Sequence, residues 1–213
     1  SLAINLGYNA GYVGLEKVRD IRDEEKRNAP WVLLFDPTSA CNRHCTGCWA
    51  AEYGHQLNLS YEDMDRIVTE GKEQGIYFYL VTGGEPLVRK ADLIKLCKKH
   101  SDCAFQAFTN GTLVDEEFCQ QLLEVKNLTL NISVEGYEEQ NDARRGEGCF
   151  NTVMDAMELL KAHKCLFGVS ICYTSANYKT VVSQEFLTML QNKGCKYAWF
   201  FHYMPVGNSA STE

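Results

Sequence analysis

"LTLNISVEG", residues 128–136, alternates with a period of two: Leu128, Leu130, Ile132 and Val134 fall on one side, Thr129, Asn131, Ser133 and Glu135 on the other. That pattern predicts a strand with one apolar and one polar face. A flat parallel sheet covered by helices on both sides is apolar on both faces. A sheet curved into a partial barrel accounts for the difference, because outward side chains meet helices while inward ones line a cavity. Gly168, Ser170 and Cys172 repeat the small-or-polar inner pattern within "LFGVSICYT", residues 166–174.

Working outward, strand-like runs fall at 31–38, 76–83, 104–110, 128–136, 166–174 and 197–205, with helical patterns near 60–74, 90–100, 115–125, 151–163 and 178–192. Ser60 with Asp63, Asp115 and Asn151 are the expected helix caps. Strand–helix alternation of this kind means repeated βαβ units and a parallel sheet with right-handed crossovers. The expected fold is therefore α/β, a parallel partial (β/α)6 barrel like part of a TIM barrel, rather than a doubly wound open sheet. After the sixth strand "VGNSASTE" supplies no sixth helix, so the reading expects either a bare core or a truncated chain. Residues 1–30 read as a helical lead-in and 31–213 as the core; Ser1 in place of Met points to a trimmed start.

A chain of 213 residues, 45% apolar and with four prolines, can bury a full core. No signal peptide or apolar run of spanning length is present, which points to a soluble protein. With 28 acidic and 21 basic residues the net charge is −7, which disfavours a nucleic-acid partner. Ten cysteines in a chain of this size do not form the disulfide framework of a small secreted scaffold. Seven of them, Cys97, Cys103, Cys119, Cys149, Cys165, Cys172 and Cys195, stand singly in apolar or helical contexts and read as small buried hydrophobes. A reducing cytoplasm is the expected compartment.

The other three crowd into "CNRHCTGCWA", residues 41–50, in the long loop after the first strand. In parallel barrels such loops carry the chemistry. Structural zinc takes four ligands, with His44 or His55 available as the fourth, but His44 lies inside the first cysteine pair's span. A redox dithiol on Cys45 and Cys48 would sit in a loop rather than at the helix start that lowers a thiol pKa. Three thiolates on a [4Fe–4S] cluster leave one iron open to chelate a substrate or cofactor.

With C-x3-C-x2-C in that loop, the chain resembles the radical S-adenosylmethionine (SAM) superfamily, and further landmarks follow in the family's order. "TGGEP" at 82–86 resembles the family's loop that bonds the SAM amino group, implying roles for Gly83, Gly84, Glu85 and Pro86. "SVEG" at 133–136 is similar to the family's S-x-D-G, with Ser133 and Glu135 toward the inner face and Glu in place of the commoner Asp. In "NDARRGEGCF", residues 141–150, Arg145 matches the arginine that pairs with the SAM carboxylate, and Arg144 reads as a solvated surface charge. "FTNG" at 108–111 and "YMPVGN" at 203–208 resemble the family's third- and sixth-strand endings, and Ser170 is a further cavity contact. Gly47 departs from the pattern, since the family often places an aromatic before the third cysteine; Trp49 or Tyr53 is the expected replacement.

The resemblance implies a [4Fe–4S] cluster on Cys41, Cys45 and Cys48, reductive cleavage of SAM to a 5′-deoxyadenosyl radical, and hydrogen abstraction from a substrate. It also implies a flavodoxin or ferredoxin type electron donor. The style of the motifs resembles the peptide- and protein-maturing branch, so a peptide substrate leads, with a small metabolite or lipid next. Outside enzymes, the alternative is an iron–sulfur or zinc module that carries electrons or regulates.

Overall fold

In a computed structural model, which describes residues 1–50, 54, 56–206 and 210, six strands form one curled sheet in sequential order. They are β1 (Leu33–Phe35), β2 (Phe78–Val81), β3 (Ala104–Thr109), β4 (Leu128–Ser133), β5 (Phe167–Tyr173) and β6 (Ala198–His202). Every pairing is parallel. The connecting helices are α1 (Tyr61–Glu73), α2 (Lys90–Lys99), α3 (Glu116–Val125), α4 (Glu138–Arg145), α5 (Cys149–Ala162) and α6 (Gln184–Asn192). The half-barrel expected from the alternation in 128–136 is the fold observed.

The outer face builds the main core. Val81, Phe105, Ala107, Leu130, Ile132, Val169 and Ile171 are buried with Met64, Val68, Leu96, Phe118, Val153, Met157 and Phe186 from the helices. Full burial of each large side chain contributes about 1.5–3 kcal/mol. On the inner face the finding differs from the expectation. Thr129 and Asn131 line no open cavity; they are 3% and 0% exposed and fill the lower lumen with a polar network. Gln106 Nε2 donates to Asn131 Oδ1 at 3.2 Å and to Tyr197 Oη at 2.8 Å. Thr129 Oγ1 donates to Leu166 O at 2.8 Å. Gly168 makes room for Tyr197, because a Cβ there would stand 2.3 Å from the tyrosine ring. Above this layer Phe108, Trp199 and Phe201 meet across the lumen, with ring centroids 5.7–6.1 Å apart.

Residues 2–25 form a helical run whose Asn5–Gly14 section is π-helical. Leu2, Leu6 and Ala10 pack on Phe78 and Ala104, at the end of the barrel where the strands begin. Asn5 Nδ2 donates to Ser101 O at 2.9 Å and Cys103 O at 2.7 Å, which fixes the run to the turn before β3.

Three local readings change. The pattern at 178–192 divides into a turn at Tyr178–Val181 and α6, which Ser183 caps by accepting from Phe186 N at 3.2 Å. Asn151 is not a cap: α5 begins at Cys149, and Asp142 accepts from Gly148 N and Phe150 N, both at 2.7 Å. Helix α4 was not expected, because its sequence EEQNDARR carries no apolar stripe and buries only Asn141. Ser60 and Asp115 cap α1 and α3 as expected, accepting from Asp63 N at 3.0 Å and Phe118 N at 2.8 Å.

Candidate active site

The two legs of the loop from Thr38 to Leu59 are zipped together. Ser39 N donates to Leu57 O at 2.8 Å, Leu59 N to Pro37 O at 3.0 Å, and Thr38 forms an antiparallel bridge with Asn58. The "TGGEP" turn is the bed beneath the leg that leads to Cys41. Gly84 N donates to Thr38 O at 2.9 Å and Glu85 N to Ala40 O at 2.8 Å. Only glycine fits there: Gly83 has φ +108°, and a Cβ on Gly84 would lie 2.3 Å from Ala40 O.

Glu85 is committed inside the protein rather than turned to a ligand. It is 1% exposed. Its Oε1 accepts from Leu87 N at 2.9 Å and Thr109 Oγ1 at 2.6 Å, and its Oε2 from Asn110 N at 2.7 Å. Burial raises its pKa against the pull of those donors. Within the motif this leaves backbone groups of Gly83 and Gly84 to meet a cation. Both glycines, with Asp36, Ser39, Ala50 and Leu57, line a cavity of about 300 Å³. Pro86 is buried and opens the short turn Pro86–Arg89.

The third strand's ending also holds the cysteine loop. Asn110 Nδ2 donates to Asn42 Oδ1 at 2.9 Å and lies 3.9 Å from Cys41 Sγ, while Asn42 Nδ2 donates to Thr112 Oγ1 at 2.8 Å.

On the far side stands a charge cluster. Glu135, 1% exposed, takes Arg145 Nε at 3.0 Å and Nη2 at 2.5 Å, and Arg144 Nη1 at 2.9 Å, all on Oε1. Its Oε2 accepts from Cys172 N at 2.9 Å. Burial opposes the charge on Arg145, yet Glu135 keeps its pKa above the ordinary value. Two asparagines that the sequence reading did not single out fix the carboxylate's backbone: Asn141 Oδ1 accepts from Glu135 N at 3.1 Å, and Asn177 Nδ2 donates to Glu135 O at 2.9 Å. Arg144 is not a solvated surface charge. It also donates through Nε to Thr46 O at 3.3 Å, between the second and third cysteines. Ser133 and Ser170 are half-buried cross-strand neighbours on the inner face.

Cys41, Cys45 and Cys48 are half-buried on this one loop. Burial raises the Cys41 and Cys45 thiols, while Arg145 and then Arg144 act to lower Cys45. Among the described residues no three His, Cys, Asp or Glu side chains gather closely enough to hold a single metal ion. Three soft thiolates spread around one loop, with guanidinium charge beside one of them, suit a polynuclear cluster whose irons are bound one to each cysteine. Trp49 is 46% exposed, and Tyr53, His55 and Asn208 lie outside the described residues.

Comparison with known proteins fits this geometry. The Radical SAM superfamily model matches residues 35–181. The cysteine-type anaerobic sulfatase-maturating enzyme of Clostridium perfringens is 30% identical over 169 residues, 70% of this chain and 45% of the relative. The Fe-coproporphyrin III synthase of Methanosarcina barkeri is 26% identical over 184 residues, 84% of this chain and 45% of the relative. Streptococcus suis SuiB shares the fold at 17% identity: bound to S-adenosylmethionine it superposes with TM-score 0.78 over 92% of this chain and 46% of its own, and bound to precursor peptide SuiA with TM-score 0.77. The chain spans less than half the length of both relatives. No described helix is long and apolar enough to cross a membrane. A half-barrel with its cysteine loop bedded on a GGEP turn, and a family match covering most of the sheet, lead to one assignment: this chain belongs to the radical SAM superfamily.

Proposed function

We propose that this chain is the catalytic core of a radical SAM enzyme that modifies a peptide or protein. In this reading Cys41, Cys45 and Cys48 hold a [4Fe–4S] cluster and SAM lies across the strand ends. Gly83 and Gly84 offer backbone carbonyls to the SAM amino group; Ser133, Ser170 and the arginines on Glu135 border the rest of it. When bound, these cofactors supply one-electron cleavage of a carbon–sulfur bond, releasing methionine and giving a 5′-deoxyadenosyl radical that takes hydrogen from the substrate. The protein's own work is to bind, orient and keep water out. The polar network and the edge-on rings of Phe108 and Trp199 fill the lumen beneath the site. A flavodoxin or ferredoxin type protein delivers the electron.

The observation that carries the reading is the convergence of the GGEP bed, the cysteine loop and the Glu135–Arg145 cluster at one end of the barrel. A peptide substrate is favoured because both the sulfatase-maturating relative and the SuiB complex with SuiA name a protein or peptide partner. The test is anaerobic reconstitution with iron and sulfide, then reduction with SAM present. Release of 5′-deoxyadenosine supports the enzyme. Iron loading with no SAM cleavage under a strong reductant, and no change in the cluster's paramagnetic resonance on adding SAM, would leave an electron-carrying module instead.

A further inference from the structure

The turn between Cys45 and Cys48 is gripped from two sides by residues far away in sequence. Gly47 has φ +63°, and a Cβ built on it would lie 2.4 Å from Tyr203 Oη and 2.9 Å from the nearer ring carbon. Tyr203, in the segment leaving β6, is itself anchored by its N–H donating to Tyr173 O at 3.1 Å. Arg144 lies with its guanidinium carbon 5.6 Å from the Tyr203 ring centre. The same arginine exchanges two hydrogen bonds with the turn: Thr46 N donates to Arg144 O at 2.9 Å, and Arg144 Nε donates to Thr46 O at 3.3 Å. Glu135 holds the guanidinium in place at 2.9 Å.

We propose that Tyr203 and Arg144 are positioning residues that lock the Thr46–Gly47 turn, tying the cysteine loop to the C-terminal end of α4 and to the segment leaving β6. Two features exclude a side chain at 47, the left-handed backbone and the tyrosine ring. The ring thus fills from the other end of the sheet the space beside the third cysteine. Arg144 adds a fixed positive charge against the turn, and positive charge beside a cluster favours its reduced form. This second effect rests on the cluster reading given above; the steric lock does not.

The lock is tested first in the cluster-free protein, by following iodoacetamide alkylation of Cys45 and Cys48 with mass spectrometry. Tyr203→Ala should react severalfold faster than wild type at both thiols, and Tyr203→Phe, which keeps the ring, should not. Arg144→Gln should react severalfold faster at Cys48; at Cys45 the lost positive charge works against the reaction. A second pair of variants separates steric contact from backbone strain. Gly47→Ala carries the strain of its positive φ whether or not Tyr203 is present, but clashes only where the ring is there, so adding Gly47→Ala to Tyr203→Ala should raise the alkylation rate by a smaller factor than adding it to wild type. In the reconstituted holoprotein, Arg144→Gln should shift the cluster's midpoint potential to a more negative value. Unchanged alkylation in Tyr203→Ala, or a Gly47→Ala effect of the same size in both backgrounds, overturns the steric lock, and unchanged Cys48 alkylation in Arg144→Gln removes Arg144 from it. An unchanged potential removes the electrostatic part. If wild-type protein binds no cluster, the cluster reading fails while the alkylation result still decides the lock.

Discussion

Arg145 places both Nε, at 3.0 Å, and Nη2, at 2.5 Å, on the single oxygen Glu135 Oε1, and Arg144 reaches that oxygen from beside it. One buried carboxylate therefore holds two guanidinium groups, and the cluster keeps an excess of one positive charge at the mouth of the barrel. An anion arriving there meets a preformed cationic site whose arginines are already immobilised.

Removing the carboxylate should cost more than removing either arginine's surface reach. Glu135→Ala leaves Arg145, 13% exposed, without its partner and takes the acceptor from Cys172 N. Breaking a buried pair in this way costs about 3–5 kcal/mol. Urea denaturation measures it, and a loss under about 1 kcal/mol, the range of exposed pairs, would contradict the buried geometry.

Glu85 gives a sharper chemical test because its two oxygens see only donors. In Glu85→Gln either orientation of the amide turns an NH2 group toward a backbone N–H, that of Asn110 on one side or Leu87 on the other. The expected cost is about 1–3 kcal/mol of folding stability for an unsatisfied buried group. SAM affinity, measured by calorimetry on the folded fraction, should change far less than stability. A large affinity loss with normal stability would return Glu85 to direct contact with the ligand.

The cysteines separate by environment. Cys41→Ala, Cys45→Ala and Cys48→Ala should each abolish iron incorporation after anaerobic reconstitution, whereas Cys97→Ala should retain iron and lose only packing. Cys97 is 1% exposed in the helical core, where burial pushes its thiol far above the usual range. Iron analysis and the cluster's visible absorption report the outcome. Equal iron loss in Cys97→Ala would undo the three-thiolate assignment.

What could be read from the sequence was local. The period-two pattern of β4 predicted the curled sheet because inner and outer faces of a half-barrel meet different surroundings. The GGEP turn was legible as a motif, but not that its glutamate is consumed by Thr109 and Asn110 on the next strand. Helix α4 escaped because a helix that buries a single asparagine carries no hydrophobic period. Tyr203 over Gly47 escaped for a different reason: nothing local in "CTGCW" announces which ring occupies the space that glycine leaves, and only the closure of β6 against the rest of the sheet brings it there. Asp142 capping α5 is by contrast local, and it escaped because the cap stands six residues before Gly148, inside α4, rather than directly before the helix it caps.

A last prediction concerns pH and lies away from the site. His100, 2% exposed at the end of α2, bonds Asp65 Oδ1 through Nε2 at 2.9 Å, while its Nδ1 is buried with no hydrogen-bond partner. A proton on Nδ1 would be a buried donor with nothing to receive it, so the ring folds neutral. Burial accordingly lowers its pKa, with Lys72 adding to that effect and Asp65 and Asp102 opposing it. The unfolded histidine takes up a proton below about pH 6.5, which the folded one refuses. The unfolded state then binds more protons, so stability falls as the pH is lowered. The loss continues until pH passes below the folded histidine's own pKa. Asp65, held below the usual range chiefly by Lys99, contributes its loss only in more acid solution. Urea midpoints should therefore drop between pH 7.5 and 5.5 in wild type and drop less in His100→Gln, which has no group titrating there. Parallel pH dependences for the two proteins would show that another group sets the acid limb.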